Sequence, residues 1–512
     1  MNIVVDGNSM KSLDDYTINQ IGIPSMVLME RAALAVANCV KDNVNKGVRI
    51  LAVSGTGNNG ADAIAAARIL SLWGYDTDIM IVGDINKCSE EFTKQINIAK
   101  NLGISLYNNV DINEYTIIID GMFGIGLNQP VQGKYLDYIQ LINKGDNTVF
   151  CVDIPSGLSA NYGNPLGDVV KADYTVTFGY NKIGLIMYPG CEYAGQVIVA
   201  DIGFPQINSQ DLDTRYYVYD ECDLSKLPKR KNDSHKGDYG KVLVIAGAAG
   251  MNGACYLASK GAYRTGAGLV KAVVPEENRT SMQTMLPEVI LSTYKRGKEL
   301  QIPDMNQISN DISWASVIAI GPGLGKDKIS QKLLELVLDT AKVPLVIDAD
   351  GINLLSKMID DTLGSEKDKN IKKRIDVLKE ILPKNTILTP HLKELSRLLN
   401  IELDEIKKNL LEVSNTCTKD NDIIFVIKDA RTIVAFESKR FINTTGNSGM
   451  STGGSGDVLT GIIVSLIGQG LKPREGAALG VYIHGLAGDF AANEKNRYSL
   501  IASDIIDGLA KI

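Results

Sequence analysis

Metal-binding pairs and an excess of one charge are scarce in this sequence, and a long apolar run is missing. The cysteines, Cys39, Cys88, Cys151, Cys191, Cys222, Cys255 and Cys417, are scattered, odd in number and form no CxxC. That excludes a disulfide frame and a zinc site, and reads as reduced thiols in a cytoplasmic protein. The only histidines, His235, His391 and His484, have no ligand spacing, so a bound metal would be held by oxygen. The net charge is −7, with no basic cluster interleaved with aromatics, which excludes a general nucleic-acid binder. No window approaches a membrane-spanning length. The opening MNIVVDGNSMKSLDD has no charged start followed by an apolar run, so no secretory leader is expected.

What is present is α/β repetition. At 512 residues the chain is too long for one ordinary core, and two or three domains are expected. Residues 17–40 carry helical apolar spacing after a Pro-containing turn, predicting an amphipathic helix packed on a sheet or a partner subunit. VRILAVS (48–54) reads as a buried parallel strand, followed by GTGNNGAD (55–62) and an Ala-rich helix to Leu72. Strand, glycine-rich loop and helix form a phosphate-cradling layout, although the loop is neither GxGxxG nor a P-loop. Further strands are predicted at 77–82, 116–120, 148–153, 174–178 and 196–200. Two of them end in a carboxylate, Asp120 and Asp153, ahead of glycine-rich loops. Parallel sheets place ligands at such strand ends, so Asn59, Asp120, Asp153 and Ser156 together predict an acid–base and cation site. Capping of the next loop by each Asp is the alternative use.

Residues 205–240 are polar and charged, and a domain boundary is placed near 215–225. The second half restarts with KVLVIAG (241–247), and strand–loop–helix units recur at 268–274, 316–325, 344–355, 385–395 and 423–435. The charged insertion 361–384 reads as a solvated surface helix. The most informative stretch is GMSTGGSGDVLTG (449–461). Gly453, Gly454 and Gly456 precede Asp457 and an apolar helical pattern. A glycine-rich turn into a helix start aims backbone N–H groups and the positive end of the helix dipole at an anion. A carboxylate does not bind an anion, so Asp457 reads as a base taking a proton from a hydroxyl, unless it only caps the helix.

In order, HKGDYGKVLVIAG, IGPGLG, VIDADGINLL, LTPHLKEL, STGGSGDVLTGIIVSLIGQG and YIHGLAGD make the second half resemble the ADP-dependent NAD(P)H-hydrate dehydratases, with a ribokinase-like fold. NNGAD (58–62) and the loops after Asp120 and Asp153 make the first half resemble the NAD(P)H-hydrate epimerases, a Rossmann-like three-layer α/β/α domain. The resemblance is to the bifunctional repair enzymes as a whole and implies an epimerase domain at 1–215 and a dehydratase domain at 222–512. It implies substrates NADHX and NADPHX, nicotinamide rings hydrated at C5–C6. The first domain would interconvert the R and S epimers at C6. The second would dehydrate the S epimer by phosphorylating its hydroxyl with ADP or ATP and magnesium, then eliminating phosphate.

The resemblance also implies residue roles. Asp457 is the base, and Ala248, Gly323, His391 and Asp457 contact the hydrated nucleotide. Gly454 and Gly456, with Lys428, Asp429, Ala430, Arg431 and Thr432, contact ADP. Asp429 stands where the family has glycine, and a carboxylate there repels phosphate unless it turns away. In the first half Asn58, Asn59, Gly60, Ala61 and Asp62, then Gly124, Ile125, Gly126, Leu127, Asn128, Gln129 and Pro130, and Asp153 bind substrate. Asp153 is the acid–base group, and Asn59, Asp120 and Ser156 hold potassium. Ala61 and Ala63 replace usual glycines and add methyls near that loop. A homo-oligomer, tetramer or higher, is expected, with no membrane or nucleic-acid partner. Two other readings use some of the same residues: a ribokinase-like kinase of a vitamin precursor, and a non-catalytic nucleotide-binding scaffold.

Overall fold

Continuous apolar runs, rather than alternating ones, are what strands need when both faces of a sheet are covered, and both halves of the chain are built on them. The computed structural model describes residues 1–207, 215–364 and 370–512. The 208–214 part of the polar junction and the 365–369 part of the charged insertion lie outside the described residues. The chain forms two compact units, Ile3–Tyr216, and Tyr217–Ile512 with Met1–Asn2.

In the N-terminal unit a sheet runs Leu106–Tyr107, Asp76–Ile81, Arg49–Ser54, Ile117–Gly121, Thr148–Val152, Tyr174–Phe178, Gln196–Ala200. Every neighbouring pair is parallel. Ile50 and Ala52 face a core shared with helices Ser25–Asn43, Asn58–Leu72 and Glu90–Asn101. Leu51 and Val53 face the opposite core, with Tyr138, Ile139 and Ile142 of helix Lys134–Lys144. This is a three-layer α/β/α arrangement. The helix expected over 17–40 is broken: Gly22, at φ +85°, and Pro24 separate the turn Thr17–Ile21 from helix Ser25–Asn43. Left-handed backbone favours glycine, and proline opens a helix but cannot continue one.

In the C-terminal unit the order is Ile290–Tyr294, Leu269–Pro275, Lys241–Ile245, Val317–Ile320, Leu345–Ile347, Ile387–Leu388, Ile424–Ile427, Ile433–Phe436, Lys439–Ile442. The first seven strands are parallel. The last two turn back antiparallel, so the apolar stretch 423–435 is a hairpin rather than a strand and helix. Helix Ser455–Gly468 lies on helix Asn252–Arg264 with glycine at the crossing. A Cβ added at Gly461 would stand 2.1 Å from the Ala258 carbonyl oxygen. That approach fixes the start of the helix that carries Asp457. The solvated reading of the insertion is corrected: helix Ile371–Ile381 buries Arg374, Ile375, Val377 and Leu378. Arg374 is fully buried because Asp360 pairs with it at 2.7 Å and the Leu398 carbonyl accepts from Nε at 2.7 Å. Among the described residues no helix is long and apolar enough to cross a membrane.

Candidate functional site

In the C-terminal unit the glycine-rich turn enters helix Ser455–Gly468 through Gly454, at φ +91°. The first-turn N–H groups of a helix have no intrahelical partner and face outward together. Lys428 follows strand Ile424–Ile427, and its N–H donates to the Pro390 carbonyl at 2.8 Å. Its Nζ lies 3.2 Å from where a Cβ on Gly456 would sit, which sets a cation beside those N–H groups. The ammonium donates to Asp348 Oδ1 at 2.7 Å. Asp348 is buried and also accepts from Thr389 Oγ1 at 2.7 Å and Thr460 Oγ1 at 2.8 Å. Burial alone would lower the lysine pKa, but Asp348 and Glu394 outweigh it and raise it.

Asp457 lies in the first helical turn. Burial, and then the Asp348 carboxylate, push its pKa up to about 7, while Lys428 opposes them. A carboxylate so tuned is a base suited to neutral pH. His391 caps helix Leu392–Leu399: its Nδ1 accepts from the Lys393 and Glu394 N–H groups, each at 3.1 Å. Burial and then Lys428 lower its pKa. Its side chain is 47 % exposed, which leaves Nε2 reachable beside Glu394. Ala248 donates its N–H to the Gly323 carbonyl, so these two expected contacts sit together ahead of helix Asn252–Arg264. Asp429 and Ala430 are exposed at the tip of the 428–432 turn, where Thr432 Oγ1 donates to the Asp429 carbonyl and Arg431 to that of Thr444. Sequence reading passed over Asp348, although VIDADG displayed it.

In the N-terminal unit a cleft of about 720 Å³ lies over the carboxyl ends of the central strands. Asn58, Asn59, Asp62, Gly124 to Gln129 and Asp153 line it, as do Asp14 and Lys182. Gly60 and Ala61 are buried beside this lining, and Pro130 lies outside it. Ala61 and Ala63 face the helix-side core. Ala63 is matched by Gly121, whose added Cβ would stand 2.4 Å from the alanine methyl.

Beneath the cleft, Asn59, Asp120 and Ser156 meet around the Phe123 backbone. Asn59 Nδ2 donates to the Phe123 carbonyl at 2.8 Å, and the Phe123 N–H donates to Ser156 Oγ at 2.9 Å. Ser156 Oγ donates to Asp120 Oδ1 at 2.7 Å, and the Ser156 N–H to Oδ2 at 2.9 Å. Asp120 is fully buried and has no lysine or arginine partner among the described residues. Burial raises its pKa, opposed by the hydrogen bonds from Ser156. Oxygen donors with one uncompensated carboxylate fit a monovalent cation better than a divalent one. Asp153 has its backbone at φ +65° and pairs with Lys182, 2.6 Å away and fully buried. Lys182 has no local sequence signature and was not anticipated. Burial lowers its pKa, and Asp153 opposes this. Asp62 is pushed well above the carboxylate range by burial, then by the charges of Asp153, Asp14 and Glu30.

The fold and sites define a two-domain α/β enzyme, with a ribokinase-like glycine-rich helix start beside Asp457 and Lys428 in one domain and a Rossmann-like carboxylate-lined cleft in the other. Residues 242–511 match the family described as NAD(P)H-hydrate dehydratase, and 25–184 match the YjeF-related protein N-terminus. The chain is similar to a bifunctional NAD(P)H-hydrate repair enzyme of Moorella thermoacetica, 35 % identical, over 99 % of this chain and 96 % of that one. It is similar to the bifunctional enzyme of Escherichia coli, 30 % identical, over 96 % and 90 %. An ADP/ATP-dependent NAD(P)H-hydrate dehydratase from Bacillus subtilis, crystallised with ATP and Mg2+, is 27 % identical over 56 % of this chain and 92 % of that one, with a TM-score of 0.45. The chain belongs to the bifunctional NAD(P)H-hydrate repair enzymes, with dehydratase and epimerase activities.

Proposed function

We propose that the N-terminal unit interconverts the R and S hydrates of NADH and NADPH at C6, and that the C-terminal unit dehydrates the S epimer using ADP. The observation that carries the second role is Asp457, raised toward neutrality beside the helix start and Lys428. Asp457 takes the proton from the C6 hydroxyl as that oxygen attacks the β-phosphorus of ADP. The Gly454–Gly456 N–H groups and Lys428 hold the transferring phosphoryl group. Phosphate then leaves C6, a proton leaves C5, and the reduced nicotinamide is restored with AMP as the other product. Magnesium would arrive with the nucleotide, since it takes most ligands from phosphate and water. Lys428 to Thr432 form the nucleotide side, Ala248, Gly323 and His391 the hydrate side. A vitamin-precursor kinase would share the nest but leave the N-terminal cleft without a task. The direct test is hydrated NADH with ADP: recovered NADH absorbance with one phosphate released per turnover supports the reading, and a stable phosphorylated product rejects it. Work in the cytoplasm as a homo-oligomer completes the proposal.

The compactness of the two units supports separable activities. Fragment 1–215 is expected to epimerise without nucleotide. Fragment 222–512 is expected to dehydrate a mixed substrate only to the fraction present as S epimer. Complete conversion by the second fragment, with spontaneous epimerisation negligible, refutes the division.

Asn59, Asp120, Ser156 and the Phe123 carbonyl are the residues that would hold potassium in the epimerase half. When bound, the ion supplies positive charge that neutralises Asp120 and attracts substrate phosphate. Asp120→Ala is expected to weaken epimerisation and its potassium dependence while leaving ADP-dependent dehydration intact. Wild-type rates equal in potassium, sodium and choline buffers would remove the cation site.

A further inference from the structure

The epimerase cleft contains more carboxylates than a single-base reaction needs. Asp62 stands in the first turns of helix Asn58–Leu72, and Asp153 just past strand Thr148–Val152. Both line the same cleft, as does Lys182. Among the described residues the side-chain bonds of Asp153 all fall on Oδ1: Lys182 Nζ at 2.6 Å, Thr177 Oγ1 at 3.0 Å and the Phe178 N–H at 3.2 Å. Oδ2 carries none of these bonds. The Lys182 ammonium is saturated too, donating also to Thr177 Oγ1 at 2.8 Å and the Phe178 carbonyl at 2.9 Å. Asp153 keeps a left-handed backbone at φ +65°, a strained state for a residue with a side chain, held in place by this network. Among the described residues Asp62 has no such cation.

We propose that Asp62 and Asp153 work on the hydrate as acid and base, and that Lys182 is the positioning residue that assigns the roles. The proposal rests on the epimerase reading above. An ammonium held on Oδ1 leaves Oδ2 of Asp153 to take a proton, whereas Asp62, paired with no cation among the described residues and pushed up by its surroundings, is the group that holds one. Asp153 takes the proton of the C6 hydroxyl, C6–O becomes a carbonyl, and the C6–N1 bond breaks. Its electron pair goes to N1, which receives the Asp62 proton. Rotation about C5–C6 turns the other carbonyl face toward N1. On closure N1 attacks C6, its proton returns to Asp62, and Asp153 returns its proton to the new hydroxyl. Nothing is oxidised or reduced, and both carboxyls end as they began. The charged groups facing the pair are Lys11, Asp14 and Asp15 from helix Gly7–Tyr16, Glu30 from helix Ser25–Asn43, Glu91 from helix Glu90–Asn101, and Lys182.

The test is the pH profile of epimerisation in the full-length enzyme, by exchange between resolved R and S hydrates without nucleotide. Wild type should lose rate at high pH, with a basic limb from Asp62. Lys182→Met should lower kcat by roughly 10²-fold or more. Asp62→Asn should abolish the basic limb and lower kcat by about 10²–10⁴-fold. Because Lys182 acts through Asp153, Lys182→Met with Asp153→Asn should be no slower than Asp153→Asn alone. Calorimetry of each variant, with the melting transition of the N-terminal unit retained, checks that the unit carrying these residues remains folded. A wild-type kcat in Lys182→Met, a retained basic limb in Asp62→Asn, or additive losses in the double variant overturns the proposal. Wild type no faster than the uncatalysed exchange removes the epimerase reading, and the proposal with it.

Discussion

Asp457→Asn is expected to retain the fold and lose ADP-dependent dehydration by about 10²–10⁴-fold, the usual cost of removing a positioned base. Asn keeps the size of the side chain but accepts no proton. Wild-type kcat/KM should rise with pH and level off above about 7, because burial and Asp348 hold the carboxyl protonated below that point. Removing Asp348 or Glu394 charge should move this limb to lower pH, since both raise the Asp457 pKa. Steady-state rates of NADH recovery from pure S hydrate across pH 5–9 give the measurement. Wild-type turnover by the Asn variant, or a wild-type profile flat through this range, would show that another group takes the proton.

Asp348→Ala should have the largest effect on stability. Asp348 accepts from Lys428, Thr389 and Thr460, and only 1 % of its surface is exposed. Removing one partner of a buried ion pair costs about 3–5 kcal/mol, because the other charge stays desolvated and unpaired. The C-terminal unit is expected to melt on the order of 10 °C lower by calorimetry. Lys428→Met added to Asp348→Ala should restore part of the loss, because the orphaned charge is then gone. Dehydration should not return with it, since the phosphoryl group still lacks its cation. An Asp348→Ala protein that melts with wild type would make the pair incidental.

What was legible in the sequence was local. The buried strands announced themselves as apolar runs, and the nest and base lie within a few consecutive residues, Gly453–Asp457. Lys182 was invisible because a single lysine among mixed residues says nothing of its burial; its partner Asp153 lies 29 positions earlier and meets it only through the fold. Asp348 and Lys428 are 80 positions apart and meet because strands Leu345–Ile347 and Ile424–Ile427 flank Ile387–Leu388. Spacing along the chain cannot encode that order. Ala61 and Ala63 misled for a related reason. The loop motif places them near substrate, whereas the helix turns both methyls into the core. Whether a residue faces the cleft or the core is decided by helical phase, which an Ala-rich segment does not reveal.

The environment that tunes Asp457 also acts on the equilibrium between folded and unfolded chains. Unfolded, this carboxyl loses its proton near pH 4. Folded, it keeps the proton up to about pH 7. Between those values the native state binds the extra proton, so acid favours it. This group's contribution to stability is complete below the lower value and declines until the upper one is passed. At the pH where the base is ready to work, the native state has already given up that protonic advantage.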